Sequence, residues 1–330
     1  MKETATPRPG QDIGSTSEQA VLRGSTLYLI LVVLGSPRLL WVLSAFLGTV
    51  FRRFFFDQFV YRFRLRPRSA NKPRLRNVEH PLDATIPVRF ETIGVYLTFI
   101  QLWISAISYL RRCLGPSFNA DFIEFLTGLR RCYVDASSVY GRCLSTTTRP
   151  AQAPSLRFAF VYAVDPHLFC VPSLHVLVVC YTYKKLEDLL SARDDYEVFK
   201  PELAAVKARA AAITESILYV RQHSVNCIPT ALSMLSVILP SYDEAEAKAF
   251  LTELFKNDDD ISETRRNDAL AYMLDLYDRV AGNGIGPEER YGAIVDFLVS
   301  YEEMAVETAR TEVPDGFRLP DLPAEFTEPA

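Results

Sequence analysis

Apolar stretches separated by short charged segments fill residues 25–240 of the chain. The most apolar one, residues 25–51, is long enough as a helix to cross the roughly 30 Å hydrocarbon core of a bilayer. Gly35-Ser36-Pro37-Arg38 interrupts it, and a charge at the bilayer centre is costly, so a break is predicted there. Residues 92–110 form a second candidate span, closed by Arg111-Arg112. The front of the chain is therefore predicted to consist of membrane helices.

Shorter apolar segments follow this front. With the two longer stretches they predict four to six spans, although each falls short of the usual length of about 20 residues. Residues 119–141 place apolar residues at helical spacing but include Arg130-Arg131, which favours an amphipathic helix over a span. A charged linker is predicted from Leu186 to Arg209. The short segments are residues 171–183, 210–220 and 225–239.

The pattern changes after Pro240. Three stretches have helical periodicity, with Gly282 ending the second and Pro287 starting the third. They predict a small acidic helical domain over residues 241–313. The ends of the chain, residues 1–24 and 314–330, are polar or proline-rich and are predicted to be disordered. The helical stretches are residues 242–256, 261–281 and 287–309.

Basic and acidic residues are distributed unevenly along the chain, as apolar residues are. Residues 1–76 have 13 Lys and Arg against 4 Asp and Glu, whereas residues 241–330 have 8 against 22. This asymmetry favours a membrane part joined to a soluble part. The pair Lys184-Lys185 after an apolar segment predicts that the acidic tail is cytoplasmic and that the opposite ends of the spans are not.

Other features exclude some classes of partner. Arginines alternate with aromatic residues from Arg52 to Arg76, which next to an apolar stretch favours a juxtamembrane segment over a nucleic-acid site. The six cysteines form no C-x-x-C pair, so we expect no zinc site and no disulfide framework. The run Asp258-Asp259-Asp260 lacks the glycine and spaced oxygen ligands of a calcium loop, and its acids are interpreted as solvated at a helix start.

The residues of a reactive site lie in one stretch, Asp165-Pro-His-Leu-Phe-Cys-Val-Pro-Ser-Leu-His-Val176. Pro172 is preorganised for a first helical turn, and an apolar run follows it. That turn has free backbone N–H groups and a positive dipole, so Ser173 and His175 are predicted to lie where a phosphate is readily held.

A second histidine, His223, occupies a comparable place at the edge of an apolar segment. The predicted topology brings His175 and His223 to the same membrane face, where one imidazole can attack phosphorus and the other can protonate the leaving oxygen. Phosphoryl oxygens also need cationic groups, and Arg142 and Arg149 of the loop before the stretch can supply them. The remaining histidines, at positions 80 and 167, are interpreted as polar loop residues.

These motifs resemble those of the type-2 phosphatidic acid phosphatase superfamily, and most of all its branch of inositol phosphorylceramide synthases and sphingomyelin-synthase-like enzymes. Pro172-Ser173-Leu174-His175 resembles the superfamily motif P-S-G-H, and Arg142 to Arg149-Pro150 resembles K-x6-R-P. Ser216 and His223 match S-R-x5-H-x3-D in part, with Arg221-Gln222 similar to the K-Q-H of that branch. Asp83…Ile86-Pro87 before Tyr96 also resembles the branch. The likeness covers about residues 25–240.

The resemblance implies a membrane-embedded helical fold and a phosphohistidine mechanism without metal or cofactor. It makes His223 the nucleophile and His175 the general acid. The phosphate-binding groups it implies are Arg142, Arg149, Ser173, Arg221 and the N–H groups near Leu174.

Two positions depart from the superfamily pattern. Ile217 replaces an arginine that binds phosphate in many members, and Cys227 replaces the carboxylate that would orient His223 and stabilise its positive charge. Asn226 has a carbonyl oxygen one position away, and it is the alternative orienting group.

The sequence thus predicts an all-α, multi-span membrane protein of phosphatidic acid phosphatase type with an acidic helical extension. Its predicted activity is that of a phosphatase or phosphotransferase acting on a lipid phosphate or phospholipid. Because of Cys227, the alternative is a catalytically inactive, phosphatase-like membrane scaffold whose tail, residues 241–313, binds a protein partner.

Overall fold

The computed structural model describes residues 21–65, 73–149, 153–282 and 284–312, with side chains up to Tyr301. The described chain is mostly helical, which confirms the all-α prediction. The predicted disorder of residues 1–24 and 314–330 falls almost wholly outside these ranges, as does Pro150. The α-helices are α1 (Thr26–Leu34), α2 (Pro37–Val50), α3 (Asp57–Arg64), α4 (Ile93–Tyr96), α5 (Phe99–Leu114), α6 (Asn119–Tyr140), α7 (Leu156–Val164), α8 (Leu174–Ser191), α9 (Tyr196–Tyr219), α10 (Cys227–Ile238), α11 (Glu244–Glu253), α12 (Glu263–Ala281) and α13 (Pro287–Glu312).

The break predicted in the first apolar stretch separates α1 from α2. Ser36 caps α2 by accepting a hydrogen bond from the Leu39 N–H at 3.5 Å, and Pro37 occupies the first turn. A π-helical segment, Phe51–Phe56, then joins α2 to α3 without interruption. This run exposes several large apolar side chains, those of Leu40, Trp41, Leu47, Phe51, Phe56, Phe59 and Phe63.

Helix α8 is the centre of the fold and packs against α5, α6, α9 and α10. It begins at Leu174 and continues past residue 183, where the predicted apolar segment ends. Both lysines that follow are paired, Lys184 with Glu187 at 2.8 Å and Lys185 with Glu124 at 2.5 Å. The segment predicted as a linker is also helical, as the end of α8 and most of α9.

Two short parallel strands tie the site loops together. Strand β1 (Leu75–Asn77) pairs with β2 (Leu144–Thr146), and Ser145 also bridges to Phe169. The loop that leads to Arg149 therefore lies beside the stretch that begins at Asp165.

The acidic tail shares the core of the preceding helices. Helices α12 and α13 pack on α10, and the Ser233 Oγ donates to the Val280 carbonyl at 3.2 Å. Apolar residues of the tail, such as Met273 and Leu298, belong to the same cluster of buried side chains as Leu235 of α10. The boundary predicted after residue 240 therefore falls inside one continuous hydrophobic core.

Contacts of the tail reach the end of the core that holds His223. The Tyr272 hydroxyl donates to Asn226 Oδ1 at 2.5 Å, and its ring stacks on His80 at 3.9 Å. Arg89 pairs with Asp258 at 2.6 Å, so of the three acids predicted to be solvated the side chain of Asp258 is buried in an ion pair, whereas Asp259 and Asp260 are exposed. These bonds do not fit the prediction that the tail and the His223 face lie on opposite sides of a bilayer.

Two helical runs of the described chain, Pro37–Arg64 and Phe90–Tyr140, are long and apolar enough to cross a membrane. The shorter apolar helix α10 is covered by α12 and α13. Protein, rather than lipid, therefore surrounds this part of the predicted fifth apolar segment.

Candidate functional site

His175 and His223 face each other at the start of α8. His175 is the second residue of that helix, whereas His223 lies in the turn between α9 and α10. Their ring centroids are 5.4 Å apart, and the residues are only 8% and 7% exposed. Both line a cavity of about 10 Å³ together with Phe54, Asp165, His167, Phe169 and Leu174.

The ring of His223 is oriented by the main chain. Its Nδ1 lies 3.3 Å from the Cys170 carbonyl oxygen, which can only accept, so Nδ1 must donate its hydrogen. In the neutral ring Nε2 then has a free lone pair. Burial lowers the pKa of His223 to about 3, which keeps the ring neutral at physiological pH.

The side chains expected near His223 point elsewhere. Asn226 donates to the Val78 carbonyl at 2.9 Å and accepts from Tyr272, so it does not orient the imidazole. The Cys227 sulfur accepts from the Ser224 N–H at 3.4 Å. The prediction that Asn226 takes over the role of the missing carboxylate is therefore not met, and the Cys170 carbonyl occupies that role.

His175 has a mostly aromatic environment. Its ring stacks on Tyr96 at 4.3 Å and lies 4.2 Å from Phe99. Within the described residues, no hydrogen-bond partner is found for either of its ring nitrogens. A polar ring that is more than nine-tenths buried and faces a small cavity without a partner is typical of a ligand-binding position.

Arg149 is near the pair but is already engaged. Its guanidinium donates to the Asp165 carbonyl at 2.8 Å and pairs with the Asp165 carboxylate at 2.9 Å. Its positive charge contributes to the low pKa of both His167 and His223, which shows its proximity to them. The structure thus brings Arg149 to the edge of the histidine pair with its charge balanced by an acid.

The other predicted phosphate ligands have different positions. Arg142 is exposed in the turn that follows α6, and Arg221 donates to the carbonyls of Asp83 and Ile86. Arg221 therefore fixes a turn of the backbone. Ser173 caps α8 by accepting from the Val176 N–H at 3.5 Å, with Leu174 as the first helical residue.

His167 belongs to the site, although the sequence places it in a polar loop. Its Nε2 accepts from the Thr147 N–H at 3.3 Å and lies 2.7 Å from the Thr147 hydroxyl. Burial lowers its pKa well below 6.5, and its ring centroid is 6.5 Å from that of His223. Asp165-Pro166 before it marks a turn, but the pairing with Thr147 depends on a distant segment.

Asp83 connects this site to the loop before α4. One carboxylate oxygen accepts from the His80 N–H and the other from the Val225 N–H, each at 2.8 Å. Burial raises the pKa of Asp83 to about 6, against the opposing effect of these hydrogen bonds. Asp83 therefore supports the turn that presents His223.

Comparison with known proteins assigns no family. A scan of family models, a search of curated proteins and a search of solved structures each gave no match. Within the described residues, no group of three or more His, Cys, Asp and Glu has a metal-binding arrangement. The site is therefore interpreted from its own geometry, which pairs a neutral imidazole with a second imidazole at a helix N-terminus.

Proposed function

We propose that the protein is a membrane phosphatase or phosphotransferase that acts on phosphate esters through a phosphohistidine. The observation that carries this proposal is the pair of imidazoles in one cavity, with His223 held so that its Nε2 lone pair is free. The resemblance to the type-2 phosphatidic acid phosphatase superfamily supports a lipid phosphate or phospholipid as substrate.

The proposed reaction proceeds in two displacements. Burial and the neighbouring His223 lower the pKa of His175 well below 6.5, so its ring takes up a proton only as the anionic phosphate binds beside it. The His223 Nε2 then attacks phosphorus, the ester P–O bond breaks, and His175 gives that proton to the leaving oxygen. Water, or the hydroxyl of an acceptor, then attacks the phosphohistidine while His175 takes up the incoming proton and the P–N bond breaks. The Cys170 carbonyl holds the Nδ1–H of His223 through both steps.

The start of α8 provides the phosphate-binding groups of the proposal. The N–H groups of Leu174 and His175 belong to the first helical turn, where the helix dipole favours an anion. Arg149 lies beside them and can turn from Asp165 to a phosphate oxygen, because a guanidinium has five N–H donors. Arg142 and Arg221 have no part in this arrangement.

The proposal that the protein is embedded in a membrane depends on its long apolar helices. The runs Pro37–Arg64 and Phe90–Tyr140 provide the candidate spans, and further spans would require the later helices to meet lipid. The tail bonds to the turn next to His223, so we place the tail and the site on the same side of the bilayer.

A phosphohistidine trap tests this proposal. Purified protein in detergent micelles is incubated with radiolabelled phosphatidic acid, quenched in alkali, and assayed for acid-labile label. We expect His223→Ala to abolish labelling and His175→Ala to slow turnover by about 10²–10⁴-fold. His80→Asn, which changes a histidine outside the cavity, is the control and retains labelling. Equal labelling of wild type and His223→Ala excludes the assigned nucleophile.

Two observations favour a second function, an inactive phosphatase-like scaffold. Among the described residues His223 has no carboxylate partner, and Arg149 is neutralised by Asp165. A scaffold would use the outward faces of α12 and α13, because their inner faces are occupied by α10. Two results together would support this function. The protein would neither turn over phosphatidic acid nor become labelled by it, and it would bind a partner saturably, with binding lost on charge reversal at Asp268 and Asp275.

A further inference from the structure

A second cavity, of about 340 Å³, opens between the segment before α1, the start of α5 and the middle of α9. We propose that it binds a phosphate-bearing anion, with the headgroup of an anionic lipid as the source that its surroundings favour. This pocket is separate from the histidine site and does not rest on the proposed function. Its lining residues are Leu22, Arg23, Thr98, Gln101, Leu102 and Arg209.

Two guanidinium groups face this cavity. Among the residues that the structure describes, neither Arg23 nor Arg209 forms an ion pair with an acidic side chain. Arg209 uses one N–H to donate to the Thr98 hydroxyl at 3.0 Å, which leaves further N–H groups for a ligand. Two cations at one cavity without a neutralising acid define a site for an anion, and planar guanidinium forks suit phosphate oxygens.

The position of Arg23 is fixed by close packing of the residues that follow it. A β-carbon at Gly24 would overlap the backbone of Ser105 in α5, so only glycine allows this approach. The Ser108 hydroxyl donates to the Ser25 carbonyl at 3.1 Å. The backbone that carries Arg23 is thereby fastened to α5 at two points, which reduces the entropy lost on binding.

The surroundings of the cavity favour a lipid as the source of the anion. Helix α1 begins at Thr26, three residues after Arg23, and its exposed side is apolar. If that side contacts acyl chains, Arg23 lies at the depth of the headgroups, where arginine is attracted to anionic lipids. The exposed apolar residues of α1 are Leu27, Ile30, Leu31 and Leu34.

The two cavities lie on different sides of Phe99. This residue packs on His175, with ring centroids 4.2 Å apart, whereas its neighbour Thr98 and Leu102 one turn later line the arginine cavity. A lipid held at Arg209 would therefore sit beside the site without occupying it.

Lipid retention in native mass spectrometry tests the pocket. The full chain is incubated with micelles that contain phosphatidylglycerol, and all variants include His223→Ala so that turnover cannot remove the ligand. Since an arginine near the membrane surface contributes about 1 kcal/mol, each of Arg23→Gln and Arg209→Gln is expected to lower retention about fivefold. Arg265→Gln, an exposed arginine at the start of α12, is the charge-matched control and retains the lipid.

A titration with inorganic phosphate distinguishes the two sources of the anion. Binding of inorganic phosphate is measured by calorimetry. If Arg23→Gln and Arg209→Gln both weaken this binding, and the protein does not retain phosphatidylglycerol, the pocket is assigned to a soluble phosphate. Equal binding of both probes by these variants and by Arg265→Gln overturns the proposal. If Arg209→Gln fails to fold, Arg23→Gln decides the outcome, because Arg23 is exposed and its change leaves the core intact.

Discussion

At the scale of single residues, the main feature is that a carbonyl orients the His223 ring. A carbonyl fixes the tautomer as an aspartate would, since either group accepts the Nδ1–H. It has no net charge, however, so it stabilises the positive ring of a phosphohistidine less than a carboxylate does. We therefore expect such a site to be slower than one with a histidine–aspartate pair, with its geometry preserved.

Substitution at Cys227 tests how closely this turn is packed. Introducing a carboxylate at this position with Cys227→Asp is expected to lower the free energy of unfolding by about 3 kcal/mol or more, because a carboxylate without a partner would be buried beside Asp83. Cys227→Ser is the control and still accepts from the Ser224 N–H. Thermal unfolding of the two variants in detergent measures the difference. A stable Cys227→Asp protein with faster turnover would contradict this expectation.

His80 predicts a dependence of stability on pH. Burial, followed by the charge of Arg279, lowers its pKa from 6.5 to about 4, so the folded state gives up its proton more readily than the unfolded chain. Its contribution to stability is therefore full above pH 6.5 and is lost as the pH falls through about 4. Asp83, with its raised pKa, acts in the opposite direction over part of this range.

His80→Asn isolates that contribution, because asparagine keeps a capping group for Leu82 N–H and does not titrate. We expect the melting temperature of wild type minus that of the variant to increase as the pH rises from about 4 to about 6.5. A difference that stays constant over this range would show that His80 titrates alike in both states.

At the scale of elements, the pairing of α10 with α12 determines how the site turn is supported. Tyr272 of α12 bonds to Asn226, and Asn226 bonds to Val78 beside β1. The helix of the tail, the site turn and the strand pair thus form one hydrogen-bonded chain. The tail is part of the structure that holds His223 in place.

Tyr272→Phe measures this support. The change keeps the ring that stacks on His80 but leaves the buried Asn226 oxygen without a donor, which is expected to cost about 1–3 kcal/mol. Tyr28→Phe serves as control, since the Tyr28 ring packs under Arg112 on the other side of the fold. Chemical denaturation of both variants in detergent gives the two values, and equal values would mean that the bond to Asn226 is unimportant.

The starts and ends of several helices can be predicted from local sequence signals, whereas contacts between distant segments cannot. The break at Ser36-Pro37, Gly282 after α12 and Pro287 at the start of α13 depend on nearest neighbours and could be predicted. His167 with Thr147 and Tyr272 with Asn226 join residues far apart in the chain. No periodicity in the sequence encodes such pairs. Only the site residues that belong to recognisable motifs can therefore be predicted.

At the scale of the whole molecule, most of the large exposed apolar side chains of the described residues lie between Leu27 and Phe63. The exposed sides of α1 and α2 contrast with α10, which the tail covers. Helix α7 also exposes apolar side chains, with Leu156 89% exposed and Phe160 60% exposed. Exposed apolar surface of this kind is typical of a face that contacts a membrane or another protein.

The two tryptophans test that orientation separately. Trp41 of α2 is 72% exposed on the apolar side, and Trp103 of α5 is 6% exposed. In vesicles of brominated phosphatidylcholine, we expect strong quenching of the emission of Trp103→Phe, which leaves only Trp41. Trp41→Phe should be quenched much less. Weak quenching of both variants would exclude direct contact between α2 and the acyl chains.

The packing of α12 and α13 over α10 has a consequence for biosynthesis. Helix α10 leaves the ribosome before α12 and α13 exist, and at about 5–20 residues per second its apolar surface stays uncovered for several seconds. During that interval the nascent chain offers a short apolar segment to chaperones or to the translocation machinery. The apolar residues of the later helices complete the core, so a ribosome stalled before Ala281 would release a chain prone to aggregation.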